Sequence, residues 1–252
     1  MKKLMIVASA AFCATVGFGL ESANVVGFQE VGLRFGSKGA GACFVNIDGQ
    51  PMNLQDLKVT GYDKTAGYED AGVTVQSLDA YGRAIETYTW YDVPGDFCGW
   101  LDSTDNFVED VTVAPGEGLY ARAPNTEFGL QSAGQVASSD IAVTLRFGSK
   151  LVVNPMPCVI NLNDDNADEN YVRVTGYNAE AGYEDAGVTI QTLDAYGRAT
   201  ETYTWYDVPG DFFGWLDSTD NYVEGVSVAP GESVYARAPD TSFSLVFPGV
   251  NL

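Results

Sequence analysis

Two aromatic runs are the groups in this chain best suited to holding a ligand. Tyr88, Trp90, Tyr91 and Trp100 recur as Tyr203, Trp205, Tyr206 and Trp215. Carboxylates lie beside both runs. Ring faces that stack on C–H groups, flanked by acids that accept hydroxyl protons, make a sugar-binding face. On that reading the contact residues are Trp90, Tyr91, Trp100, Trp205, Tyr206 and Trp215, one site per run. The same residues also suit a core. Alternation along a strand sends Tyr88 and Trp90 to one side and Thr87, Thr89 and Tyr91 to the other. Buried Tyr and Trp are routine in β-sandwiches, so both readings stand at this point.

The second candidate is an acidic loop, Asn161-Leu-Asn-Asp-Asp-Asn-Ala-Asp-Glu-Asn170. Asn163, Asp164, Asp165 and Asp168 supply enough oxygen ligands for calcium, and a solvated acidic loop is the plainer alternative. It is not an EF-hand, because Asn166 stands where Gly is needed and Val172 where the bidentate Glu belongs. Asp102-Ser-Thr-Asp-Asn106 and Asp217-Ser-Thr-Asp-Asn221 are shorter polar turns. Glycoside hydrolysis needs two carboxylates about 5–10 Å apart with separated pKa values, and among 34 acids no pair stands out. No catalytic residue is assigned, no cofactor beyond calcium is expected, and the chain reads as a non-enzyme.

Charge and composition narrow the field further. Thirteen Lys and Arg stand against 34 Asp and Glu, a net charge of −21, and there is no histidine. A surface this acidic repels phosphate backbones and anionic lipid. Without histidine, Ser-His-Asp triads, Cys-His dyads and His-rich metal sites drop out. The expected partners are copies of the chain itself, or a surface glycan or protein, and not nucleic acid.

The elements that must position these residues are set by a duplication. Residues 59–128 match 174–243 at an offset of 115, with 56 of 70 positions identical. Upstream, LRFGSK at 33–38 recurs at 145–150, an offset of 112. Between those landmarks GAGACFVNIDGQPMNLQD faces LVVNPMPCVINLNDDNADEN, so one loop differs while its flanks do not. Two copies of this length match common domain size, and the predicted domains are 20–135 and 136–252, joined by the small polar stretch 131–140.

Each copy reads as β. Val73–Leu78 and Glu86–Tyr91 are rich in β-branched and aromatic residues, and Asp79-Ala-Tyr-Gly-Arg83 between them is a hairpin turn. Ala114-Pro-Gly-Glu117 has Pro then Gly at the centre of a type II turn. Further strands are predicted at 31–36, 42–47, 57–62, 118–123 and 126–131, with one helical turn at 53–57. Short strands with turns every 8–12 residues predict an all-β chain of two tandem antiparallel sandwiches.

The first residues carry the pattern of a secretory signal peptide: Lys2 and Lys3, then an apolar stretch from Leu4 to Phe18. Cleavage is expected after Gly19, with no later segment able to span a membrane, which places the protein outside the cell or on its surface. Losing the two lysines takes the charge from −21 to −23. Cys43, Cys98 and Cys158 remain. Cys98 is replaced by Phe213 in the second copy and is expected to be buried. Cys43 and Cys158 hold equivalent places and could bridge only if their Cα atoms lie within about 7 Å. Glu21 to Gly27 has no counterpart before the second copy. Val25, Val26 and Phe28 give this segment strand character, so it either pairs with an edge of its own chain or adds to a neighbouring molecule.

Glu21-Ser-Ala-Asn-Val-Val-Gly-Phe28, Gln191-Thr-Leu-Asp-Ala-Tyr-Gly-Arg198, Leu151-Val-Val-Asn-Pro-Met-Pro157 and the TYTWYD, GWLD and APGES stretches resemble uncharacterised secreted two-repeat proteins of planctomycete–verrucomicrobia-group bacteria. The resemblance covers nearly the whole chain after the leader. The first copy departs from it, since Gly39-Ala-Gly-Ala42 replaces the Asn-Pro-Met-Pro turn. The shared motifs are turns and strands, and the resemblance implies no functional residue. The expected role is a noncatalytic surface, matrix or fibre component, with a carbohydrate-binding module as the alternative.

Overall fold

The computed structural model describes residues 26–33, 36–41, 50–65, 72–124, 128–137, 139–163, 171–177, 187–239 and 243–249. In the first copy the strands are β1 (Val26–Gly32), β2 (Gly36–Ala40), β3 (Met52–Asn53), β4 (Lys58–Thr60), β5 (Thr74–Leu78), β6 (Ala84–Val93), β7 (Phe97–Leu101), β8 (Thr112–Val113), β9 (Leu119–Ala123) and β10 (Gly129–Gln135). In the second they are β11 (Ile141–Thr144), β12 (Gly148–Val153), β13 (Ile160–Asn161), β14 (Arg173–Thr175), β15 (Thr189–Leu193), β16 (Ala199–Val208), β17 (Phe212–Leu216), β18 (Ser227–Val228), β19 (Ser233–Ala238) and β20 (Ser244–Phe247). The helical content of the described residues is one 3-10 turn, Leu54–Asp56.

Each copy builds the same set of antiparallel sheets. The first has orders β1-β10-β4, β2-β9-β5-β6-β7 and β3-β8; the second has β11-β20-β14, β12-β19-β15-β16-β17 and β13-β18. The five-stranded and three-stranded sheets of one copy share one buried cluster, as in a sandwich. Val31, Val59 and Leu130 from the small sheet pack with Val75, Tyr88, Trp90 and Leu119 from the large one. A second cluster, with Val143, Val174 and Leu245 against Ile190, Tyr203, Trp205 and Val234, repeats this arrangement.

Local chemistry fixes the connections. In the β5–β6 hairpin, Asp79 Oδ1 accepts the N–H groups of Tyr81 at 2.8 Å and Arg83 at 2.9 Å. Gly82 takes φ +77° in that turn, a region open to glycine at no steric cost. The Pro-Gly turn closes through Glu117 N–H to Ala114 O at 2.9 Å. The expected strand over 31–36 is instead two, β1 and β2, in different sheets. Strand β7 escaped the sequence reading because Gly99 in its middle lowers strand propensity. A Cβ at Gly99 would overlap the Gln55 amide and lie 2.7 Å from the Phe107 ring, so glycine is required by close approach.

The amino-terminal segment is also placed. Val26–Gly32 pairs antiparallel with β10 of its own copy, Val26 opposite Gln135 and Phe28 opposite Ala133. Of the two expectations for this segment, Val26 and Phe28 take the first, pairing with an edge of their own chain: β10 runs three residues longer than β20 and offers them a partner edge. Phe28 stays 60% exposed. Val25 lies outside the described residues.

Candidate functional site

The tryptophans are core. Trp90, Trp100, Trp205 and Trp215 are 1%, 0%, 2% and 0% exposed. This corrects their assignment as sugar-contact residues, because no ring face is open to a ligand. Strand pairing sets Trp90 opposite Trp100 and Trp205 opposite Trp215. The ring centroids lie 5.2 and 5.3 Å apart, edge to face, a favoured aromatic geometry. Each indole N–H has a partner. Trp100 Nε1 donates to Leu57 O at 2.7 Å, and Trp215 Nε1 to Val172 O at 2.8 Å. Trp90 Nε1 donates to Tyr62 Oη at 3.2 Å, which donates in turn to Asp92 Oδ2 at 2.7 Å. Trp205, Tyr177 and Asp207 repeat that relay at 3.2 and 2.8 Å. Burial first, and then the Asp207 carboxylate, push the Tyr177 hydroxyl up to about 12. Tyr62 is raised by the same two causes.

Tyr91 and Tyr206, one residue along, face the other side of the large sheets and are half-buried. Each lies beside a phenylalanine of the neighbouring strand, Tyr91 6.2 Å from Phe97 and Tyr206 6.5 Å from Phe212. They are the members of the proposed aromatic set with a side chain open to solvent.

Of the acidic loop, Asn163 is described; Asp164, Asp165 and Asp168 lie outside the described residues. Asn163 is buried, and its amide is fully engaged. Nδ2 donates to Trp215 O at 2.8 Å and Val223 O at 3.0 Å, while Oδ1 accepts Trp215 N–H at 2.8 Å. It is therefore a core latch and not a metal ligand. Among the described residues, no group of three or more His, Cys, Asp and Glu is placed to hold a metal ion. The Asp102 and Asp217 turns are self-contained. Asp217 Oδ1 accepts Thr219 N–H at 2.8 Å, Thr219 Oγ1–H at 2.8 Å and Asn221 N–H at 3.0 Å. These donors hold its carboxyl down at about 2.

Where the copies differ, a cleft opens in the first. Lys58, Tyr62, Lys64, Asp92, Cys98 and Gln131 border a space of about 630 Å³. Cys98 is exposed, which corrects the expected burial. Its strand-pair partner is Asp92, past the Trp90–Trp100 pair and at the open rim of the core. Phe213 at the matching place is 56% exposed, its ring tilted against Tyr171 at 6.2 Å, so a phenylalanine there does not signal burial. Burial and the Asp92 charge push the Cys98 thiol up, with Lys58 opposing. A thiol so raised is a weak nucleophile at neutral pH. Cys158 also carries a free thiol, and Cys43 lies outside the described residues.

Sequence reasoning missed Gln55 and Asn154. Gln55 makes in the first copy the three bonds that Asn163 makes in the second. Asn154 is buried and fully bonded, donating to Cys158 O and Val228 O and accepting Met156 N–H at 2.9 Å. The available signals were the recurrence of Met52-Asn-Leu-Gln-Asp56 as Ile160-Asn-Leu-Asn-Asp164 for Gln55, and a lone amide among apolar residues for Asn154. No protein-family model, curated protein or solved structure matches this chain.

Proposed function

We propose that the chain is an exported, noncatalytic component of a cell surface or extracellular matrix. The observation that carries this reading is the use of the duplicated polar motifs. Asp79 and Asp194 lock hairpins, Asp102 and Asp217 lock turns, and the Tyr62–Asp92 and Tyr177–Asp207 pairs anchor indoles, identically in both copies. Two copies that share their fold-locking bonds and differ at the exposed cleft fit selection for a folded shape. Export rests on the amino-terminal pattern of Lys2, Lys3 and the apolar stretch to Phe18. The strong negative charge suits a protein that stays dispersed outside the cell.

The test combines antibody labelling of intact producing cells with electron microscopy of the purified chain from Leu20. Surface or matrix labelling is the expected result, and signal confined to the cell interior would overturn the proposal. A carbohydrate-binding role is the second reading, favoured by the Tyr91–Phe97 and Tyr206–Phe212 pairs on the outer sheet faces. Reproducible glycan-array binding that is lost in Tyr91→Ala and Tyr206→Ala chains would establish it over the first.

A further inference from the structure

The two copies meet through a face that is nearly, but not fully, symmetric. Tyr120 and Tyr235 occupy the same place in their copies, and their hydroxyls hydrogen-bond to one another at 2.7 Å. Around this pair the contacts are reciprocal. A Cβ on Gly116 would overlap Val143 Cγ2, and one on Gly231 would sit 2.6 Å from Val31 Cγ2. Val31 and Val143 are repeat equivalents, as are Gly116 and Gly231. This is the pattern of an isologous dimer, in which residue i meets j and j meets i, realised within one chain.

Symmetry breaks beside the Tyr120–Tyr235 pair. Leu151 and Ser233 of the second copy stand where the first has Gly39 and Gly118. A Cβ on Gly39 would overlap the Ser233 hydroxyl and lie 2.9 Å from Leu151 Cδ1. One on Gly118 would lie 2.7 Å from Leu151 Cγ, and one on Gly41 would lie 3.0 Å from Val153 Cγ2. Leu151 and Val153 are 1% and 0% exposed. Beyond the tyrosine pair, the bonds across the face are not duplicated: Val153 N–H donates to Gly116 O at 3.1 Å, and the Gln29 amide donates to Pro230 O where the second copy has Ile141 in place of Gln29.

We propose that this face is a lock-and-key surface by which the first copy accepts only the second, and that the pairing persists without the covalent join. Two second-copy faces brought together this way would set Leu151 against Leu151 and Ser233. Two first-copy faces would leave leucine-sized gaps over glycines. Both mismatches carry a packing penalty, and discrimination of this kind keeps the face from joining one molecule to the next. The repeat therefore yields a closed pair, and any larger assembly has to use other surfaces.

The test keeps the full chain. A site-specific protease sequence is inserted between Ser138 and Ser139, and the folded protein is cut there. Native mass spectrometry and size exclusion are expected to find both fragments in one particle of the uncut mass, separating only in denaturant; separate particles in native buffer would overturn the proposal. In the cut protein, Gly39→Leu is expected to weaken pairing by roughly tenfold or more, the scale of an overpacking penalty. Gly32→Ala, at a position with open space, leaves pairing unchanged. Exchanging key and lock, Gly39→Leu with Leu151→Gly and Ser233→Gly, is expected to restore it. Unchanged pairing in Gly39→Leu, or loss without rescue by the exchange, would remove the lock account.

Discussion

Gln55 and Asn163 make the same three hydrogen bonds from equivalent places, each two residues after the β3 or β13 strand that pairs in the same register with β8 or β18. Gln55 Nε2 donates to Trp100 O and Val108 O, both at 2.8 Å, and Oε1 accepts Trp100 N–H at 3.0 Å. Asn163 does the same for Trp215 and Val223. The longer arm reaches from the 3-10 turn and the shorter one from the residues just after β13. The stretch that follows, up to β4 and β14, differs in length and sequence, yet both side chains satisfy the backbone at the tryptophan strand. Asn163→Ala would leave the Val223 carbonyl and the Trp215 N–H without that partner in a dry place, while Trp215 O keeps the Val223 N–H at 3.2 Å, at about 1–3 kcal/mol for each group fully stranded. Urea unfolding is expected to show a clear fall in midpoint. A midpoint that does not move would sink the latch.

The paired Asp102 and Asp217 turns make stability depend on acid. The Asn221 N–H and the Thr219 hydroxyl and N–H hold Asp217 at about 2, and Asn106 and Thr104 hold Asp102 below the usual range. A carboxyl depressed by folding stabilises the fold above its unfolded value. That stabilisation fades as pH falls through the folded value, here from 3.8 towards about 2. The thermal midpoint is expected to drop across that window. Asp217→Asn is expected to lower the midpoint at pH 7 and to flatten the drop, and an equally steep fall in that variant would count against the assignment.

Cys98 offers a direct check on the cleft. It is exposed, while Cys158 is half-buried under the second core. A small alkylating reagent on the native protein is expected to modify Cys98 before Cys158, by peptide mass mapping. Reaction should speed up as pH rises above the ordinary thiol range, because burial and Asp92 hold the thiol protonated. Preferential labelling of Cys158 would mean that the cleft is closed in solution.

Replacing the aromatic residues separates core from surface. Trp90→Ala and Trp205→Ala remove fully buried indoles, at about 3–5 kcal/mol each. Tyr91→Ala and Tyr206→Ala, on the opposite face, are expected to cost much less. Calorimetry of the four variants reads this directly. Equal losses at both kinds of position would contradict the alternation that places Trp inward and Tyr outward.

Much of this was legible because the chain states it twice. The Asp79–Arg83 hairpin, the Pro115-Gly116 turn and the tryptophan strands combine turn residues with β-branched and aromatic runs, so local propensity and tertiary structure agree. The 3-10 turn at Leu54–Asp56 falls within the expected helical turn at 53–57. Cys98 was misread because substitution by Phe213 suggests burial only if the position lies under a sheet, and this one lies at a rim. Asn163 was misread because an amide in an acidic run looks like a calcium ligand until its three backbone partners are seen. Gly39 looked like loop divergence and Gly118 like the start of a strand; their role depends on Leu151 and Ser233, which no local pattern connects to them.

The segment before Gln29 separates a closed molecule from a polymer. Val26, Gly27 and Phe28 pair with Gln135, Gly134 and Ala133, whereas the second copy's small sheet begins with Ile141 opposite Phe247 and has no such extension. Those three pairs lie on an edge strand, and Phe28 is largely exposed, so their removal is expected to cost roughly 1–2 kcal/mol from lost cross-strand contacts. Gln29, which donates to Pro230 across the two copies, is kept in a chain that starts at that residue. Light scattering at high concentration should then give one monomeric mass for chains starting at Leu20 and at Gln29, with a modest drop in denaturation midpoint for the shorter one. If the longer chain polymerises and the shorter does not, β1 leaves β10 to join a neighbour, and the intramolecular pairing is only its resting state.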